Sequence, residues 1–157
     1  MLAEAAKAKN LSGTTLGFLN VNMSCVSCHQ YLRDAHQVEI KNVRDLPAPK
    51  LAAETEDANF WMAKKLQLSD QIVAALAVGD FETIAQNAKT IDALSQVEGW
   101  ARRKDAKFYR AHLESFRTAN NDLRRHAEEK DLPGATLAFT QLTLSCVKCH
   151  HQLRSER

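Results

Sequence analysis

Cys146-Val147-Lys148-Cys149-His150 closes the last helical pattern of the chain, and Cys25-Val26-Ser27-Cys28-His29 repeats it near the other end. A C-x-x-C-H run is the attachment signature of a c-type haem. Each thiol adds across one vinyl group to give a thioether, and the histidine that follows is set under the iron as an axial ligand. On a helix, residues three and four apart share a face, so Cys146, Cys149 and His150 address one group together. All four cysteines of the chain fall in the two runs.

Other chemistries compete for the same residues. A C-x-x-C is also a redox dithiol, but that motif belongs beside a βαβ pattern, and no such pattern is visible. Cys25, Cys28, Cys146 and Cys149, with His29 and His150 in reserve, supply enough ligands for zinc. Plain disulfides or buried thiols are the simplest alternative. Histidine at the end of both runs favours haem c, two groups per chain.

Superimposing the motifs exposes an internal repeat with an offset of 121 residues. Leu11, Gly13, Thr15, Leu16, Phe18, Ser24 and Cys25 fall on Leu132, Gly134, Thr136, Leu137, Phe139, Ser145 and Cys146. The match runs forward to Leu32 and Arg33 over Leu153 and Arg154, and backward to Leu2, Ala6 and Lys9 over Leu123, Ala127 and Lys130. Residues 1–36 thus read as the trailing part of a unit. Residues 37–50 hold two of the three prolines and read as a linker, and 51–157 as a complete domain.

Four helical patterns follow the linker. Met62, Leu66, Ser69, Val73 and Leu76 recur at steps of four and three, ending at Gly79. Asp80 reads as the N-cap of a second helix with Ile84, Ala88, Ile91 and Leu94 inside and Gly99 as its stop. A third runs from about Asp105 to Lys130, with Phe108, His112, Phe116, Ala119, Leu123 and His126 on one side. Asp131 and Pro133 restart the chain as a fourth, on which Phe139, Leu142, Cys146, Cys149 and Leu153 form a core stripe. In the first copy that stripe is Phe18, Val21, Cys25, Cys28 and Leu32. Amphipathic helices on short loops predict an all-α, up-down-up-down four-helix bundle, with an additional helix carrying the N-terminal motif.

This pattern resembles the class II cytochromes c, the cytochrome c′ family, over roughly residues 51–157. The short turn Val78-Gly79-Asp80-Phe81 is similar to the family's first helix junction. Two motifs in one chain, the first without its own bundle, depart from the family. The resemblance implies thioethers at Cys146 and Cys149 with His150 as proximal ligand, and the same roles for Cys25, Cys28 and His29. It also implies that a first-helix residue faces the far side of the iron. Met62 is the stripe residue at that place, either as sixth ligand or as core. With methionine bound, the implied work is electron transfer. With the position open, it is binding of nitric oxide or carbon monoxide.

The remaining residues bound the reading. His151 points about 100° round the helix from His150. His36, His112 and His126 read as structural. Arg33 and Arg154 suit either a haem propionate or the last helical turn. Trp61 and Trp100 read as core or pocket packing. The formal net charge of +2 gives no case for nucleic acid, and no apolar run reaches the length of about 18 residues that a membrane span needs. No constellation for hydrolysis or group transfer is present, so an enzyme is not expected. Haem c is attached outside the bacterial cytoplasm, so a periplasmic or otherwise exported protein with a redox partner is expected. The opening residues lack the apolar core of an export signal, which suggests that Met1 is not the native start. The apolar stripe of residues 1–36 calls for cover, and a homodimer through paired N-terminal segments would supply it.

Overall fold

The computed structural model describes residues 2–36, 58–102 and 107–155, and every element among them is an α-helix. The chain divides into two compact units, Met1–Ile40 and Lys41–Arg157. The expected linker at 37–50 and the side chains of His36, Trp100 and Phe108 lie outside the described residues.

The first unit is a short helix, α1 (Leu2–Lys7), turned back onto a long one, α2 (Leu11–His36). Lys9 sits between them in the left-handed region, φ 53°. Its N–H donates to the Ala6 carbonyl at 3.0 Å and the Asn10 N–H to the Ala5 carbonyl at 2.9 Å, which satisfies two of the orphan acceptors of α1. Asn10 then caps α2, its Oδ1 accepting the Gly13 N–H at 3.0 Å. Gly17 lets the two helices close, since a Cβ there would stand 2.9 Å from the Leu2 Cα.

The second unit holds α3 (Ala58–Val78), α4 (Phe81–Arg102), α5 (Lys107–Glu128) and α6 (Leu132–Ser155). Short connections make successive helices antiparallel neighbours, giving the expected four-helix bundle. Two junctions repeat the turn of the first unit. Gly79 (φ 71°) and Lys130 (φ 57°) are left-handed, and the residue after each caps the next helix. Asp80 accepts the Thr83 N–H at 3.0 Å, and Asp131 accepts the Gly134 N–H at 3.1 Å.

The core is built from Leu68, Ile72, Ala75 and Leu76 of α3, Ile84, Ala88 and Ile91 of α4, Ala119, Leu123 and Ala127 of α5, and Leu132, Ala135, Ala138, Phe139 and Leu142 of α6. Each large aliphatic side chain here contributes about 1.5–3 kcal/mol by burial. Two polar ties fix α5 against α4. Asn120 Nδ2 donates to the Ala88 carbonyl at 2.8 Å, and Arg117 pairs with Asp92 at 2.9 Å.

Three expectations are corrected. The buried stripe of α3 is Leu68, Ile72, Ala75 and Leu76, not Met62, Leu66, Ser69 and Val73. Leu66 is 64% exposed. The row Met62, Leu66, Ser69 and Val73 runs one residue out of phase with the buried one, because Val73 is as apolar as Ile72 and only packing chooses between the two rows. Gly99 lies inside α4, which continues to Arg102, since a single glycine weakens a helix without ending it. A sixth helix, α1, precedes the motif helix of the first unit.

Candidate functional site

Cys146 and Cys149 are half-buried on the inner side of α6, one and two turns beyond the buried Leu142. Burial pushes the Cys146 thiol up to about 11, against the pull of the nearby Lys65 charge. A thiol in this state is protonated and unreactive from solvent. His150 is exposed, on the flank of the same face, and His151 is exposed beyond it.

The helix across from this face is α3. Antiparallel order sets its first turns beside the last turns of α6. The two helices touch at few points, whereas α3–α4, α4–α5 and α5–α6 pack along their lengths. The bundle is therefore loosest along the seam bordered by the cysteines. Met62 is half-buried on α3 at this end. Sequence reasoning missed Lys65. Its Nζ stands 5.3 Å from the centre of the Phe116 ring on α5, and its charge reaches Cys146 on α6. The sign that should have found it is phase: Lys65 lies seven residues before the fully buried Ile72.

A second opening lies elsewhere. A cleft of about 740 Å³ runs between α5 and α6, bordered by His112, Ser115, Gln141, Leu144 and Lys148. Lys148 is about 160° round α6 from Cys146, so this cleft is not on the cysteine face. His112 Nε2–H donates to Gln152 Oε1 at 2.9 Å and ties α5 to the end of α6. His126 is also tied, its Nδ1 lying 2.7 Å from Asp131 Oδ2.

In the first unit Cys25 and Cys28 are exposed on α2 and His29 is half-buried. The His29 Nδ1 is buried and meets no hydrogen-bond partner among the described residues. Arg33 pairs with its neighbour Asp34 at 3.2 Å. The stripe expected as a core face is open here: Phe18 and Val21 are 45% and 51% exposed, against 5% and 1% for Phe139 and Leu142. Among the described residues of the unit, no helices like α3 and α4 accompany it.

Among the described residues no group of three or more histidines, cysteines or carboxylates is placed to hold a metal ion. A haem asks the chain for two thiols and one or two axial ligands. Cys146 and Cys149 lie on the inner side of α6, with His150 exposed on their flank. No helix among the described residues is long and apolar enough to cross a membrane. No protein-family model, curated protein or solved structure matches the chain.

Proposed function

We propose that this chain is an exported c-type cytochrome of the class II kind, holding haem c at Cys25 and Cys28 and at Cys146 and Cys149, and that it moves single electrons. His29 and His150 are the axial ligands in this reading. The observation that carries it is the placement of two C-x-x-C-H runs at one position of two repeated helical hairpins, one pair of thiols turned into a bundle. When bound, a haem supplies an iron that cycles between two oxidation states. The chain's part is to hold the thioethers on α6, keep water from the ring with Phe139, Leu142 and the α3 side chains, and fix the imidazole of His150. Burial and axial ligation set the potential. The same reading takes a second copy of the chain as the partner of the open α2 stripe.

The test is the intact mass and visible spectrum of protein made in a host that matures haem c. Two haem groups above the chain mass are expected. One group would remove the claim for the first unit, and none would return the cysteines to zinc or disulfide chemistry. A low-spin spectrum of the reduced protein supports electron transfer. A high-spin spectrum that shifts with carbon monoxide would replace it with gas binding.

A further inference from the structure

The open stripe of α2 has a stricter period than a surface helix needs. Leu11, Thr14, Phe18, Val21, Cys25, Cys28 and Leu32 recur at steps of three and four without a break. A sustained seven-residue period of this kind is the seam of a two-helix coiled coil. Leu11, Phe18, Val21 and Leu32 are exposed on it, and so are Cys25 and Cys28, both with free thiols. Thr14 is the one hydroxyl on the seam, and it donates to the Asn10 carbonyl at 2.8 Å. The buried side chains Leu19 and Val26 belong to another face, Val26 standing about 100° round the helix from Cys25.

Charge says what fits this seam. Residues 10–32 hold no lysine, arginine, aspartate or glutamate. A charged partner would lose its water there and meet no counter-charge. A second copy brings an equally uncharged face with the same period, so no like charges meet. Parallel pairing sets every layer against itself, so that Thr14 faces Thr14 and thiols face thiols. An antiparallel pair of the same length would set Thr14 against Leu32 and Cys28 against Phe18, polar and soft groups against large apolar ones.

We propose that, in chains whose first motif carries no haem, two copies pair in parallel through α2 and hold one zinc ion between them on Cys25 and Cys28 of each copy. The proposal rests on the reading above of a second copy as the partner of α2. One chain brings two thiols to the seam, too few to hold a metal ion, and the described residues of a single chain place no larger group for one. Two chains bring four, in successive layers of one seam. Zinc takes four thiolates in a tetrahedron at about 2.3 Å, and C-x-x-C is the usual half of such a site. Each thiol releases its proton to solvent as its sulfur–zinc bond forms, and no electron changes hands.

The experiment uses full-length, reduced, haem-free protein with cobalt(II) as the visible stand-in for zinc. Light scattering should give a dimer that binds one cobalt per two chains, with the intense visible bands of a tetrahedral thiolate site. Added zinc should bleach them. Cys25→Ser and Cys28→Ser should each abolish the bands, and Cys146→Ser should leave them in place. Val21→Glu keeps every thiol but sets like charges into the seam, and at unchanged helical content it should lose the bands as well. A monomeric parent would refute the pairing and the metal site together. A dimer without the bands would refute the metal site and leave the pairing standing. One cobalt per chain, bands that need Cys146, or bands that survive Val21→Glu would place the metal within a single chain and overturn the proposal.

Discussion

Lys9 and Lys130 stand 121 residues apart and share one left-handed backbone conformation, φ 53° and 57°. Each follows a helix end, and each is followed by an Asx residue that caps the next helix. The third such junction has Gly79 at the same place, φ 71°. A β-carbon is strained in this region, so the two lysines are held there by the turn's hydrogen bonds. Lys130→Gly should relieve the strain and raise the stability of the bundle by about 0.5–1 kcal/mol, after allowing for the freer unfolded chain. Denaturant unfolding checks this, and a lowered midpoint would show that the lysine side chain contributes more than its backbone loses.

Asp131 joins two helices at that junction. Its Oδ1 accepts the Gly134 N–H at 3.1 Å and its Oδ2 lies 2.7 Å from His126 Nδ1. The Gly134 hydrogen bond, helped by His126, holds its carboxyl below the ordinary 3.8. A lowered value in the folded state means stability that is present above pH 3.8 and lost as the pH falls through the folded value. Asn10 caps α2 in the same way without a charge. Asp131→Asn should therefore keep the cap near neutral pH and flatten the acid limb of stability relative to the parent. Asp131→Ala should lower stability at neutral pH by removing the cap. Equal acid limbs in parent and Asp131→Asn would remove this carboxylate from the account.

The fold was legible where spacing alone decides it. The stripe Phe139, Leu142, Cys146 follows from helical period, and Ile84, Ala88 and Ile91 are all buried as spaced. The α3 phase was not legible, because Met62, Leu66 and Val73 make as regular an apolar row as Leu68, Ile72 and Ala75. Only the neighbours of a helix choose between two such rows. Lys65 was hidden by the same ambiguity, since a lysine in sequence reads as surface. The turns at Lys9 and Lys130 were hidden too, because a glycine is the expected left-handed residue and these positions carry none. The motif cysteines needed no structure to be named, but only the structure separates the half-buried Cys146 from the exposed Cys25.

That separation predicts an order of reactivity in haem-free, reduced protein. Cys25 and Cys28 are exposed, while Cys146 is half-buried with its thiol near 11 against an ordinary 9.0. The shift alone leaves about a hundredfold less thiolate at Cys146 at mild pH. Timed alkylation followed by peptide mass analysis should label Cys25 and Cys28 first and Cys146 last. Labelling of Cys146 as fast as Cys25 would mean that the seam between α3 and α6 opens freely.

The open stripe of α2 gives the last prediction. Phe18, Val21 and Leu32 occupy the places that Phe139, Leu142 and Leu153 fill in the bundle, yet Val21 is 51% exposed where Leu142 is 1%. Val21 and Phe18 lie within one turn of each other, with Cys25 one turn further on. So apolar a face is favoured to find cover, each side chain contributing about 1.5–3 kcal/mol when buried. A second copy presents the same face, and two such faces close about a two-fold axis with every contact made twice. Full-length protein should therefore scatter light as a dimer. Val21→Glu would set two like charges into that seam and should give a monomer of unchanged helical content. A monomeric parent, or a dimer untouched by Val21→Glu, would show that the stripe is not the surface through which copies pair.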